Sequence, residues 1–402
     1  MTPNQKKTFA ACAAGWALDG FDYQLFPLII PSLIALWHID NDTAGALGTV
    51  TLLMSAVGGW IAGLLADRIG RVRTLQLTVA WFSVFTCLCG LCTNVEQLFA
   101  ARSLMGLGFG GEWTAGSVLI AEVVEARWRG RAVGLVQSAW AIGWAASVLA
   151  GSWILADLPA EWSWRVLFGI GLLPALLLLY IRRNVAEPEI FREKKEKGAP
   201  LTAIFAPAFL RTTLPAALLL TGMQGGYHAI SIWLPTYLRT EKHMTVMGSR
   251  DYLLVLIAGS FAGYVSGAFL TDKLGRRGQA GLYALGGLAT VFAYTHLDIG
   301  NDVMLWLGFP LGFFASGIFS GVGAYLSELY PTRVRGIGQG FCYNFGRGIG
   351  ALIPWIVGHL SKSLGLGEAV GLFAAGSYLL VFLSVAFLPE TRGKELTDQM
   401  PV

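Results

Sequence analysis

The chain has 402 residues, of which 54% are hydrophobic and only 13% are charged, with a net charge of +4 and a mean hydropathy of +0.58. Soluble domains carry about 25% charged residues, so this composition argues against an ordinary soluble enzyme or binding module. One helical membrane crossing needs about 20 residues. Twelve crossings would therefore use roughly 240 residues and leave enough chain for short loops.

Apolar runs separated by short polar loops predict an all-α membrane protein with twelve transmembrane helices. We place these helices at about residues 8–36, 44–66, 73–93, 96–123, 130–156, 163–183, 210–238, 249–271, 278–297, 301–328, 336–361 and 368–388. The long polar stretch after the sixth helix is interpreted as a cytoplasmic linker. The predicted domains are therefore residues 1–183, a linker at 184–209, and residues 210–402.

Lys and Arg residues are concentrated in alternate loops, and the opposite loops carry mainly Asp and Glu. Cytoplasmic loops of membrane proteins carry the excess of Lys and Arg. This pattern predicts that both termini are cytoplasmic, in a multi-pass protein of the cell inner (plasma) membrane.

Two segments recur about 205 residues later in the chain. The run Gly-Leu-Leu-Ala-Asp-Arg-Ile-Gly-Arg at 63–71 matches Ala-Phe-Leu-Thr-Asp-Lys-Leu-Gly-Arg at 268–276, and the spacing Glu-x4-Arg-x-Arg-Gly at 122–130 returns at 328–336. Each pair occupies the same predicted loop of its half. Parallel repeats of six helices predict two bundles with a substrate site between them, near the middle of the membrane.

These motifs carry a family resemblance. The segment 63–71 resembles the signature loop of the major facilitator superfamily, and Arg-x3-Gly-x-Gly-x-Gly at 102–110 resembles its fourth-helix motif. Leu-Asp-Gly-Phe-Asp at 18–22 resembles the first helix of both the sialate/lactate and the aromatic-acid proton symporters. Gly-Gly-Glu-Trp at 110–113 is more similar to the sialate/lactate branch. The resemblance implies the major facilitator fold, alternating access, and a proton gradient in place of any cofactor.

Few ionisable side chains fall deep in the predicted helices, where each charge costs about 2.5–3.5 kcal/mol. Asp19 and Asp22 are three residues apart on one helical face, and two close carboxylates cannot both ionise cheaply. We predict that this pair carries the transported proton, with Asp22 slightly favoured, although a bracing hydrogen-bonded pair is the alternative. Glu112 is a second proton candidate, or a partner of Arg102 or Arg347. Arg102 either neutralises an acid of the first helix, gates the outer vestibule, or extends outward to water.

Arg347 is the predicted substrate anchor, because it lies about 12 residues into the eleventh helix and its planar guanidinium matches a carboxylate. The alternative is a salt bridge to a neighbouring helix. Five other side chains, on the same stripe or at the matching depth of the seventh helix, are predicted to contact substrate: Tyr343, Asn344, Gln224, Tyr227 and His228. Seven further side chains are candidates, although the sequence does not show whether they face the cavity: Gln137, Ser138, Trp140, Trp144, Ser316, Ser320 and Tyr325.

The repeated loops are predicted to clamp helix ends together while the cytoplasmic side is closed and to separate as it opens. Such residues should affect turnover and not substrate affinity; the alternative is a signal for topology alone. The predicted gating residues are Asp67, Arg68, Arg71, Glu122, Arg127, Asp272, Arg276, Glu328 and Arg333.

The predicted function is proton-coupled uptake of a small organic anion, with a monocarboxylate such as lactate or a sialic acid as the main reading. An aromatic acid is the alternative. A cation or drug antiporter is disfavoured by Arg347 and by the lack of a Gly-Pro pair in the fifth helix. We predict no enzyme activity, metal site or nucleic-acid partner. The expected partners are a small organic acid, protons and the lipid bilayer, and we expect a monomer.

Overall fold

The computed structural model describes residues 3–123, 126–185, 201–297, 299–331 and 334–392. All regular structure in these ranges is helical, which confirms the predicted all-α class. The α-helices are α1 (Pro3–Trp37), α2 (Asn41–Ile69), α3 (Arg71–Cys89), α4 (Val95–Val123), α5 (Ala126–Asp157), α6 (Ala160–Ile170), α7 (Pro174–Asn184), α8 (Pro207–Thr240), α9 (Val246–His296), α10 (Asn301–Gly317), α11 (Val322–Leu329), α12 (Arg335–Gly350), α13 (Leu352–Leu364) and α14 (Leu366–Phe387). Two 3₁₀ turns cover Leu201–Phe205 and Ile318–Gly321.

Several predicted crossings are interrupted. The sixth is divided into α6 and α7, because Gly171 ends the first piece and Pro174 begins the second. The tenth is divided by the 3₁₀ turn at Ile318–Gly321, and the eleventh is divided between α12 and α13 at Ala351. Glycine and proline are tolerated in membrane helices where neighbouring groups satisfy the freed backbone.

The eighth and ninth predicted crossings form one continuous helical path, α9, with a sharp break at Gly275. Its φ of +81° lies in the left-handed region, where residues with a Cβ are strained. Gly70, which lies 205 residues earlier between α2 and α3, has a φ of +109°. Both repeats therefore turn at the same place by the same means. Seven helical stretches of the described residues are long and apolar enough to cross a membrane, and α9 is one of them.

The repeat also appears in how helices pack. A Cβ on Gly58 of α2 would lie 2.0 Å from the carbonyl oxygen of Leu107, and one on Gly263 of α9 would lie 2.2 Å from that of Phe313. The two glycines are 205 residues apart. In each half a glycine therefore lets two helix backbones touch, as in other membrane bundles.

Helices of the two halves meet along one seam. The contacts are made by α1, α2 and α5 of the first half with α8, α9, α12 and α13 of the second half. The helices that meet there carry most of the buried polar side chains predicted from the sequence, whereas Arg102 and Glu112 lie on α4, which packs against α1 and α2.

Candidate functional site

A cavity lies on this seam, where α1 crosses α8. It is narrow, with a cavity volume of about 40 Å³. The first half contributes Trp16, Tyr23, Leu52, Phe109, Gln137 and Trp140. The second half contributes Gln224, Tyr227, His228, Tyr264, Phe319, Tyr343 and Arg347. A bound molecule would therefore contact both halves at once.

Arg347 is the cation on the cavity wall. Its side chain is buried, and its Cζ lies 5.0 Å from the ring centroid of Tyr343 and 5.6 Å from that of Phe109. None of the ion pairs among the described residues includes Arg347. A buried guanidinium held between aromatic rings, without a carboxylate partner from those residues, is suited to receive an anionic ligand.

Two hydrogen-bonded pairs join α1 to α8 beside the cavity. Tyr23 Oη lies 3.1 Å from His228 Nδ1, and these residues are 205 positions apart, so equivalent sites of the two repeats meet. Tyr227 Oη accepts hydrogen bonds from Gln24 Nε2 at 3.0 Å and from Trp140 Nε1 at 2.6 Å. The polar groups nearest the ligand space are thus fixed across the seam.

Two carboxyl groups lie side by side behind this wall. Asp19 and Glu112 are buried, and their carboxyls are within hydrogen-bonding reach of each other. Two carboxyl groups can form a hydrogen bond only when one of them carries a proton. No donor from the described residues reaches either oxygen of Asp19.

The carboxyl of Asp22, also buried on α1, lies beside the end of α6. A Cβ on Gly171, at the end of α6, would lie 3.2 Å from Asp22 Oδ1.

Arg102 is also buried. Its Nε donates to the carbonyl of Leu47 at 3.1 Å, and its Cζ lies 3.5 Å from the ring centroid of Phe26. These contacts differ from the predicted alternatives of a carboxylate partner in α1 and of extension outward to water.

The other sequence candidates divide into two groups. Gln224, Tyr227, His228 and Tyr343 line the cavity, as do Gln137 and Trp140. The sequence predicts Asn344 on the stripe with Arg347, but Asn344 is not on the cavity wall, and its Oδ1 lies against Gly59 of α2. Tyr325 lies farther away and donates to the carbonyl of Pro389.

One end of the seam is closed by contacts between the halves. Lys362 Nζ, at the end of α13, lies 2.8 Å from Asp40 Oδ2 and 3.5 Å from Asp42 Oδ2. Asn41 Nδ2 donates to Ser361 Oγ at 3.0 Å. The hydrogen bond from Lys362, followed by those from Thr43, holds the pKa of Asp40 well below its usual range. We call this set of contacts the Lys362 latch.

At the opposite end, the predicted gating residues of the second half form a compact cluster. Arg276 binds Glu328 through two nitrogens, at 3.0 and 2.8 Å, and Asp272 at 3.0 Å. Thr391 Oγ1 donates to Glu328 at 2.6 Å. Burial alone would raise the pKa of Glu390, but hydrogen bonds from the backbone N–H groups of four nearby residues lower it. This cluster fixes the break of α9 to the end of α11 and to the segment that follows α14.

The predicted gating residues of the first half, and one of the second, are not among the described side chains. The side chains of Asp67, Arg68, Arg71, Glu122 and Arg127, and the whole of Arg333, lie outside the described part of the chain. Their gating role stays a prediction.

Sequence reasoning missed most of the aromatic wall. Trp16 and Tyr23 share the helical face of Asp19, and Phe109 lies one turn before Glu112. Their short separation along the sequence from the intramembrane acids could have identified them as cavity residues. Tyr264 and Phe319 carried no comparable signal, since nothing in the sequence shows which face of their helices meets the seam.

Comparison with known proteins adds the family context. The sequence model described as the Major Facilitator Superfamily matches residues 12–353. A probable 4-methylmuconolactone transporter of Cupriavidus pinatubonensis is 42% identical, over 98% of this chain and 92% of its own length. A cis,cis-muconate transport protein of Acinetobacter baylyi is 30% identical, over 93% and 92%. A sialic acid transporter of Escherichia coli is 28% identical, over 96% and 95%.

Among solved structures, a D-xylose–proton symporter superposes with a TM-score of 0.75 and covers 97% of this chain and 99% of its own. At 19% identity this likeness shows the fold alone. It confirms the predicted twelve-helix architecture. These relatives agree better with the predicted alternative, an aromatic acid, than with lactate or a sialic acid.

Proposed function

We propose that this chain, which belongs to the Major Facilitator Superfamily, takes up a small unsaturated or aromatic organic acid together with a proton. Its family and relatives are transporters and not enzymes, and the relatives carry organic acids. The observation that carries the proposal is Arg347, a buried cation without an ion-pair partner among the described residues, on the wall of an aromatic cavity between the two halves.

The shape and chemistry of the cavity support a flat anion. Tyr23 stacks on Phe109 with a centroid distance of 5.2 Å and an interplanar angle of 10°. Phe319 and Tyr227 close the wall of the second half, with centroids 5.7 Å apart. Aromatic rings prefer to pack against other rings in offset or edge-to-face geometry. An unsaturated ring acid would bury its ring here and place its carboxylate at Arg347.

Proton coupling is supported by the carboxyl pair of Asp19 and Glu112. A proton on this pair and a carboxylate at Arg347 would enter the same transport cycle. By linkage, each would favour the binding of the other equally. Asp22, also buried on α1, is a second place for the proton.

Transport would follow from the seam. The substrate contacts both halves, so the halves can rock around it. With the predicted topology, the Lys362 latch closes the outer end and would break when the carrier opens outward. By the same topology, the cluster around Arg276 and Glu328 would lie at the cytoplasmic end, where it would keep the second bundle rigid as it moves.

A ligand screen tests this proposal. The purified full chain is heated in detergent with a panel of aromatic acids, unsaturated lactone acids, lactate, a sialic acid, sugars and amines. Ring acids should raise the melting temperature most, and Arg347→Gln should abolish this effect. Arg250→Gln, at an exposed ion pair with Asp251, serves as the matched control. Stabilisation by amines or sugars but not by acids would contradict the proposal.

A further inference from the structure

Two polar atoms on the cavity wall have no partner within the described residues. Trp16 Nε1 and His228 Nε2 are both buried, and no described group forms a hydrogen bond with either. Both side chains line the cavity. Buried polar groups nearly always have a hydrogen-bond partner. The partner of these two atoms is therefore expected in the space that the ligand would occupy.

The indole of Trp16 is held firmly. Its ring lies between those of Trp113 and Trp140, with centroid distances of 4.4 and 4.8 Å. An indole N–H can only donate a hydrogen bond. Because its neighbours leave little room for rotation, Trp16 offers a fixed donor and can be satisfied only by an acceptor.

The imidazole of His228 is oriented from its other side. Tyr23 Oη lies 3.1 Å from Nδ1. In a neutral imidazole, the hydrogen bond made by one ring nitrogen determines which of the two nitrogens carries the ring hydrogen. When Tyr23 donates to Nδ1, the ring hydrogen lies on Nε2, which then donates as well. The cavity would thus hold two neutral donors in addition to the cationic Arg347.

We propose that Trp16 and His228 form a second subsite, which receives an uncharged oxygen acceptor of the substrate while Arg347 holds its carboxylate. This rests on the proposed function and narrows it. The preferred cargo is a ring monocarboxylate with a further carbonyl or ring-ester oxygen, such as a lactone acid. Because Trp16 belongs to the first half and His228 and Arg347 to the second, such a molecule would join the two halves.

A pair of matched ligands tests the subsite. One is muconolactone, an unsaturated five-membered lactone with an acetate arm, and the other is cyclopentenylacetate, which keeps the ring size and the carboxylate but lacks the lactone oxygens. Binding of each is measured by titration calorimetry on the purified full chain. We expect the wild type to bind the lactone acid about three- to tenfold more tightly, the worth of a neutral hydrogen bond.

Trp16→Phe keeps an aromatic ring but removes the N–H, and it should lower the ratio of the two affinities below that of the wild type, with little change for cyclopentenylacetate, while His228 keeps its own hydrogen bond to the lactone. His228→Phe should reduce the same ratio and gives an independent test if Trp16→Phe is poorly folded. Trp144→Phe is the control: Trp144 lies beside Tyr227, with centroids 6.2 Å apart, and is not part of the cavity wall. Its ratio should remain that of the wild type.

The outcomes separate the two proposals. Equal binding of both acids by the wild type, or an unchanged ratio in both Trp16→Phe and His228→Phe, overturns the subsite and leaves organic-acid transport standing. Failure of both acids to bind overturns the proposed function together with the subsite. A ratio that falls equally in the Trp144→Phe control also overturns the assignment, because the loss would then reflect general loosening.

Discussion

Replacing Glu112 by Gln should uncouple transport from the proton gradient. The amide keeps the size of the side chain and can still form a hydrogen bond with Asp19, but it cannot release a proton. In the structure the two carboxyls are neighbours, and the proposed function assigns them one shared proton. The variant should therefore fold and bind substrate, yet lose the group whose protonation changes during the cycle.

The magnitude follows from the number of protons carried. One pH unit corresponds to about 1.4 kcal/mol per proton. A carrier that moves one proton with each anion should accumulate substrate about tenfold across a gradient of one pH unit. Glu112→Gln should reach a ratio of about one while retaining exchange of internal for external substrate.

The assay uses proteoliposomes with an acidic exterior and labelled ring acid. Accumulation and counterflow are measured on the same preparation, so that a loss of coupling is separated from a loss of folding. Glu96→Gln, an exposed position in the first turn of α4, is the matched control and should accumulate like the wild type. Tenfold accumulation by Glu112→Gln would refute the role of the Asp19–Glu112 pair.

Three further predictions concern the frame of the site. Tyr227→Phe leaves two buried donors without an acceptor and should lower the free energy of unfolding by about 1–3 kcal/mol, measured by denaturant titration; an unchanged value would contradict the hydrogen bonds described here. Gly275→Ala places a Cβ 2.5 Å from Glu390 Oε2 at a φ of +81° and should lower the melting temperature, whereas Gly281→Ala, with open space around it, should not. Lys362→Glu reverses the charge of the latch and should widen spin-label distances across that end of the seam; unaltered distances would remove the latch from the gating cycle.

Much of the site could be predicted because charge is rare in this chain. Asp19, Glu112 and Arg347 stand out in apolar helices, where an ionisable group without a function is costly. The pairing of Asp19 with Glu112 could not be predicted from the sequence, because the two residues lie on different helices. Which faces of those helices meet depends on how the helices pack. Sequence spacing favoured Asp22 as the partner, although its side chain faces α6.

The fold was predictable to a similar depth. The repeat fixed the architecture, and the shared offset of 205 residues also relates Gly70 to Gly275 and Tyr23 to His228. Helix breaks were harder to place. Gly171 and Pro174 interrupt a crossing that hydropathy alone treats as continuous. Asn344 shows the limit of stripe arguments, since contact with Gly59 in α2 decides where it points.

Simultaneous recording of substrate and proton entry tests the central claim most directly. Proteoliposomes containing the full chain and an internal pH indicator are given muconolactone without an imposed pH gradient. Proton-coupled symport predicts that the interior acidifies by about one proton for each substrate molecule taken up, and that Glu112→Gln abolishes net acidification. Uptake with no change in internal pH would contradict the account.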